Sequence, residues 1–338
     1  MVKVGIIGAS GYTGAELLRL CAQHPEFQLE YATGDTQAGV SAKELYPSLA
    51  ARYPTLVFDA FDPSAAEGLD LVFLGLPHEA SMALAPTLVG KVGCVVDLSA
   101  AYRLKDANLY PRWYGFHHDQ PELLASAVYG LPETHRAELA GARLVATPGC
   151  HVTAATLALA PLVREGLVAT SGIVVNSITG VSGAGRTPKP NTMFCTVDED
   201  VQAYGLLDHR HTPEIEQEVG AQVLFTPHLA PMSRGILATC YAQPTGGAST
   251  DSVLEALHSA YADEPFVVVG TASPSTKATL GSNAAHLTAR VDDRTGTVIV
   301  LSAIDNLAKG ASGGAVQAAN VALGLPETLG LSAVGMFP

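Results

Sequence analysis

The first third of the chain alternates between two textures. Residues 2–8, VKVGIIG, form a short continuous apolar run ending in glycine, and residues 13–22, TGAELLRLCA, then place apolar side chains at helical spacing. The run predicts a strand buried on both faces, and the spacing predicts an amphipathic helix behind a tight turn. The pattern repeats, with strands expected at Gln28–Ala32, Asp70–Leu74, Cys94–Leu98 and Leu144–Thr147 and helical stretches such as Glu79–Val89 between them. Apolar strands alternating with helices predict an α/β fold, a doubly wound parallel sheet covered on both sides.

The texture changes after the helix that follows Cys150. Strand-like runs at Ile173–Thr179, Gln222–Thr226, Ile236–Gln243, Phe266–Val269, His286–Val291 and Val298–Ile304 succeed one another with little helix between them. A mixed or antiparallel sheet follows, and such a sheet can leave one face free for a partner. A last helix, about Gly314–Leu323, is expected to return to the first domain. The division is therefore 1–149 with 313–338, and 150–312.

Composition narrows the classes. The 338 residues are 48% hydrophobic and 15% charged, enough for two ordinary cores. The start MVKVGIIGASG lacks the apolar core and cleavage site of a secretion signal, and no apolar run is long enough for a bilayer. Five scattered cysteines without a CxxC pair point to a reducing compartment, so a cytoplasmic protein is expected. A net charge of −13 argues against a nucleic-acid surface. In so acidic a chain an anionic ligand needs a local basic pocket, which singles out Arg103, Arg186, Arg234 and Lys309 in small or polar loops.

Gly8, Gly11 and Gly14 in GASGYTG lie between the first strand and the first helix. Glycines there let a pyrophosphate approach the backbone at the positive end of the helix. Asp35, near the end of the second strand, stands where a carboxylate would meet the ribose hydroxyls of NAD, and no arginine is at hand for a 2′-phosphate. The same residue in a solvated turn would have no such role.

Cys150 follows Pro148 and Gly149 at the carboxyl end of a strand and opens a helix. The helix dipole and the free N–H groups of the first turn favour a thiolate and could hold an oxyanion. A nucleophile there needs a base. His209 and His211 in DHRHTPEIEQ are the candidates, with Thr212 read as a helix cap and Pro213 as the first helical residue, so that the helix field keeps His211 neutral. His151 is adjacent to the cysteine but expected to point away. No further ligands accompany the HxH pair at metal spacing, so no metal is expected.

These stretches, GASGYTGAELLRL, LPH, VDLSAAYR, YGLPE, PGC, SGAGR, HRHTPEI, SRGILAT, GSNAAH and DNLAKGASGGAVQ, occur in the order seen in N-acetyl-γ-glutamyl-phosphate reductases, which the chain resembles over its whole length. The resemblance implies a Rossmann-type domain, an α+β domain for catalysis and subunit contact, a homodimer or homotetramer, and NADPH as the usual reductant with NADH not excluded. It implies reduction of N-acetyl-γ-glutamyl phosphate, a small anionic acyl phosphate, to the semialdehyde in arginine biosynthesis through a cysteine thioester. It places Cys150, His211 and His209 in catalysis, Gly8, Ser10, Gly11, Tyr12, Thr13, Gly14, Pro77, Ser182, Gly183 and Asn306 near the cofactor, and Ser99, Arg103, Arg186, Arg234 and Lys309 near the substrate. Two departures stand out: PGCHVT where many members read PGCYPT, and SAAYR for SADFR, which removes an acid beside Arg103. The turn ATGDTQAG also lacks the Ser/Arg pair that often accompanies NADP. A reductase of aspartyl phosphate or of a carrier-bound aminoadipyl phosphate, and a non-catalytic dinucleotide sensor, are the alternatives.

Overall fold

Two contact units divide the computed structural model, which describes residues 1–338: Met1–Pro148 with Ala311–Leu331, and Gly149–Gly310 with Ser332–Pro338. The last seven residues therefore pack with the second unit, where Asn283 N donates to Ser332 O and Met336 N to Leu280 O.

The first unit is built on a six-stranded parallel sheet. Its strands are β1 (Val2–Ile7), β2 (Phe27–Thr33), β3 (Leu71–Leu74), β4 (Cys94–Asp97), β5 (Val128–Tyr129) and β6 (Leu144–Ala146), in the order β2-β1-β3-β4-β6-β5. The uninterrupted apolar runs have a direct cause. Leu71 and Phe73 pack into one core with Leu17, Leu18 and Val316, whereas Val72 and Leu74 pack into a second core with Ala85 and Leu88. Both faces are covered, so neither set of alternating side chains can be polar. Helix α1 (Tyr12–Gln23) and the helix Gly313–Ala322 supply the first core, and α2 (His78–Leu88) supplies the second.

The second unit holds a seven-stranded mixed sheet. It comprises β7 (Ile173–Gly180), β8 (Gln202–Ala203), β9 (Val223–Ala230), β10 (Ile236–Ala242), β11 (Val267–Val269), β12 (Ala285–Asp292) and β13 (Thr297–Ile304), in the order β11-β12-β13-β10-β7-β9-β8. Only β7/β9 and β11/β12 run parallel. Burial alternates along the whole of β10 and along β7 as far as Thr179. Ile173, Val175, Ile236, Ala238 and Cys240 face a core formed with α3 (Cys150–Arg164), α4 (Thr212–Val219) and α5 (Thr250–Ala260). Every residue of α3 from His151 to Leu162 is buried, which accounts for a helix apolar all round. The opposite face, with Val174, Asn176, Ile178, Leu237, Thr239, Tyr241, Ile299 and Leu301, is half-exposed.

Candidate active site

Cys150 is the first residue of α3, partly exposed, behind a Gly149 that caps the helix in an extended conformation without any side-chain cap. The cap residue itself therefore offers no side chain to the N–H groups of the first turn at the cysteine corner. The buried cysteine thiols, Cys21, Cys94 and Cys240, are pushed up to about 12 by desolvation, so they stay protonated.

Helix α4 brings two groups to this corner. A Cβ built on Gly149 would lie 2.4 Å from His211 Nε2 and 2.7 Å from its Cε1, so the imidazole lies flat against the residue before Cys150. Glu214, three positions further along and fully buried, accepts the Gly149 N–H at 2.9 Å. Residues three apart share one helix face, and here both touch the same peptide. The cap of α4 is His211 itself, not Thr212: its carbonyl accepts the first helical bond, from Ile215 N at 2.9 Å. Thr212 and Pro213 fill the first turn, where a missing N–H costs nothing.

His209 has a different occupation. Its Nδ1 accepts the His211 N–H at 3.1 Å, and burial, with the Arg210 charge second, lowers its pKa to about 4. It thus holds the backbone that presents His211. His151 does not point away. It lies under the pair, ring centroids 5.8 and 5.7 Å from His209 and His211, bonded through Nδ1 to Ser177 Oγ (2.7 Å) and through Nε2 to Tyr204 Oη (3.1 Å). Complete burial drives its pKa down to about 3, so it is neutral at any ordinary pH.

A second strand of contacts reaches Cys150 from the turn after β13. A Cβ on Gly310 would meet Cys150 Cβ at 2.8 Å, and Gly310 N donates to Asp305 O. Asp305, wholly buried, takes Arg234 Nη1 at 3.5 Å, while Asn306 accepts from Gly235 N (2.8 Å) and donates to Ser182 Oγ (2.9 Å). Gly183 borders Asn306 Nδ2. Lys309 is buried with its Nζ 5.7 Å from the Phe266 ring centroid. Arg234, Asn306, Ser182, Gly183 and Lys309 are thus tied to one framework. Arg186 makes no hydrogen bond or ion pair there.

In the first unit, Gly8, Ser10, Gly11, Tyr12, Thr13 and Gly14 follow β1, and Pro77 caps α2 after β3. The chain leaves β1 for β2 on one side and β3 on the other, so this is the switch point where open α/β sheets bind ligands. Gly8 has φ +90°, and a Cβ there would strike Gly75 O at 2.4 Å; at Gly14 it would strike Ala9 Cα at 2.5 Å. At Gly11 the nearest atom is 3.6 Å away, so the fold itself does not require glycine at that helix cap. A pyrophosphate seated on the uncapped first turn does require it.

Ser99 and Arg103 are engaged within the first unit. Ser99 Oγ donates to Asp97 Oδ2 (2.7 Å) and accepts from Ala101 N (3.0 Å), and Arg103 Nη2 donates to Leu98 O (2.8 Å). Asp97, fully buried on β4, is the acidic group within the VDLSAAYR stretch; burial raises its pKa, against the bonds from Ser81 and Ser99 and the Arg103 charge.

Comparison with known proteins follows the same division. Residues 3–142 match the semialdehyde dehydrogenase NAD binding domain, and residues 150–306 match the semialdehyde dehydrogenase dimerisation domain. The N-acetyl-gamma-glutamyl-phosphate reductases of Pelobacter propionicus and Geobacter sulfurreducens are 48% and 47% identical to it, each over 100% of both chains. This chain belongs to the N-acetyl-gamma-glutamyl-phosphate reductase family. Aspartate semialdehyde dehydrogenase II of Vibrio cholerae, solved with ASA, shares the fold at TM-score 0.71 and 18% identity, covering 96% of this chain and 98% of that one. The expected architecture, a Rossmann-type sheet followed by a mixed sheet, is thus the fold of this reductase family's chain as well. Its glycine turn fits a nicotinamide dinucleotide, NAD(P). No helix is long and apolar enough to cross a membrane.

Sequence reasoning passed over Glu214, Tyr204, Ser177 and Asp305 in the second unit and the buried Asp97 as a partner of Ser99 in the first. For Glu214 a signal existed, its i+3 spacing from His211. The others are recognisable only through their bonds.

Proposed function

We propose that this chain reduces N-acetyl-γ-glutamyl phosphate to the semialdehyde with release of phosphate, the activity carried in the names of its relatives, with Cys150 as nucleophile and His211 as acid/base. The observation that carries the assignment is the imidazole of His211 against Gly149, beside the thiol at the start of α3.

The thiolate, favoured by the helix start, attacks the acyl carbon. A C–S bond forms, the C–O bond to phosphate breaks, and phosphate leaves with that electron pair. The chemistry a bound nicotinamide dinucleotide supplies is a hydride. The N–H groups of the first turn of α3 hold the oxygen on which negative charge develops. His211 exchanges the proton, and C–S cleavage frees the aldehyde and returns the thiolate. Arg234 and Lys309 offset the substrate's negative charge in an otherwise acidic chain, and Glu214 fixes the Gly149 peptide so that thiol and imidazole keep their approach. Ser99, Arg103 and Arg186 are further candidates for the substrate's anionic groups.

The mixed sheet supports a homo-oligomer, since its half-exposed face lies within the region matching a dimerisation domain. The chain's compartment is read as the cytoplasm. The test is Cys150→Ser assayed in reverse, as phosphate-dependent NAD(P) reduction with N-acetylglutamate semialdehyde. Loss of turnover by about three orders of magnitude or more, with dinucleotide binding intact, is expected. Turnover near wild type would overturn the reading. Aspartate semialdehyde as the better substrate would move the specificity to the neighbouring reductase.

A further inference from the structure

The carboxyl end of β2 is where a dinucleotide-binding sheet meets the adenosine ribose. A carboxylate there accepts from the 2′-hydroxyl, while a 2′-phosphate needs a cation and hydrogen-bond donors. β2 ends at Thr33, and the next residues, GDTQAG, turn through a short 3₁₀ segment, Asp35–Gln37. Asp35 is exposed, has φ +49°, and its carboxylate bonds to nothing in the protein. It stands at the strand end as an unused acceptor.

Around it the hydroxyls of Ser10 and Tyr46 are already engaged. Ser10 Oγ donates to Gly34 O at 2.8 Å, and Tyr46 Oη donates to Ser10 O at 2.6 Å. Position 34 cannot offer a hydroxyl, because a Cβ there would lie 2.7 Å from Phe58 Cβ and 2.9 Å from Gln37 C. No lysine or arginine occurs between Arg19 and Lys43. A second carboxylate is close by in the framework: Asp59 bridges Thr33, its carbonyl accepts the Gly34 N–H at 3.0 Å, and its side chain is exposed. A 2′-phosphate set at this strand end would meet two acidic residues and no cation from the turn.

We infer that Asp35 makes this chain select the unphosphorylated dinucleotide, NAD(H), over NADP(H). The inference rests on the dinucleotide reading of the first unit and adds the discrimination. The hydroxyl of the ribose donates to Asp35, and the phosphate that would replace it is repelled by Asp35 and Asp59 together. Because these carboxylates are exposed, the repulsive part weakens as salt rises.

The experiment is titration of the full chain with NADH and with NADPH, followed by nucleotide fluorescence and by calorimetry, for the wild type, Asp35→Asn and Asp35→Arg. NADH is expected to bind more tightly by about tenfold or more, corresponding to ~1.4 kcal/mol. Asp35→Asn narrows that ratio, Asp35→Arg narrows it further or inverts it, and 0.5 M salt narrows it more in the wild type than in Asp35→Asn. NADPH binding as tightly as NADH to the wild type would overturn the inference, as would a ratio unmoved by Asp35→Arg. Neither nucleotide binding would overturn the dinucleotide reading with it. Phosphate-dependent turnover with whichever nucleotide binds tests the reductase activity separately.

Discussion

Gly149 is where the chemistry of the second unit is decided. Its φ of −66° is open to any residue, so an alanine costs the backbone little, yet the added methyl would sit 2.4 Å from His211 Nε2. Gly149→Ala is therefore expected to fold, to bind dinucleotide in the first unit as before, and to lose kcat. The loss should approach that of His211→Gln, about 10²- to 10⁴-fold for removal of a general acid/base. His209→Gln separates the two histidines. Because His209 accepts a backbone N–H, it should lower thermal stability more and kcat less than His211→Gln does. A larger kcat loss at His209 would transfer the acid/base role there. Of these residues the sequence showed the cysteine on its corner and the paired histidines, because helix starts and turn residues are local features. It did not show Glu214 as a partner of Gly149, a contact between residues 65 apart.

Among the elements, α3 and α4 carry the site together with a buried polar layer. His151 and His209 are neutral in the folded protein, with pKa values of about 3 and about 4 against 6.5 when unfolded. The lowered values mean that the unfolded chain binds protons first as pH falls. Stability is then complete above about pH 6.5 and is lost progressively down to pH 4 and below, by at most about 1.4 kcal/mol per pH unit for each histidine. Urea midpoints measured from pH 7.5 to 4.5 should fall accordingly. His151→Phe should flatten the slope, and an unchanged slope would show that His151 charges without penalty in the fold. Helical spacing could not reveal this layer. On α3 every position from His151 to Leu162 is buried, so periodicity has no polar face from which to orient His151, and the expectation that it points away failed for that reason.

At the scale of the whole molecule, the half-exposed face of the second sheet, within the region that matches a dimerisation domain, is the candidate contact for a second copy. Register sets Asn176, Thr239 and Leu301 side by side, with Ile178 beside Leu237 in one flanking row and Val174, Tyr241 and Ile299 in the other. A second copy against this face would bury those rows. Thr239→Arg, at the centre, is expected to lower the mass found by light scattering to that of one chain while leaving the far-ultraviolet circular dichroism unchanged. An unchanged mass would place the contact elsewhere.

By itself the sequence determined the parallel sheet, the glycine turn, the change of architecture near residue 149 and the cysteine at a helix start. Each follows from side-chain period, turn chemistry or backbone sterics acting over a few residues. The tertiary structure decided which distant residues meet. α4 packs on α3 with His211 and Glu214 turned to Gly149, and the turn after β13 places Gly310 against Cys150. It also decided that Asp35 lies beyond the strand as a free acceptor, with Phe58 closing position 34 to a side chain. Hydrophobic period states which face of an element is buried but not what it is buried against, and partners far apart in sequence are chosen only when those faces pack.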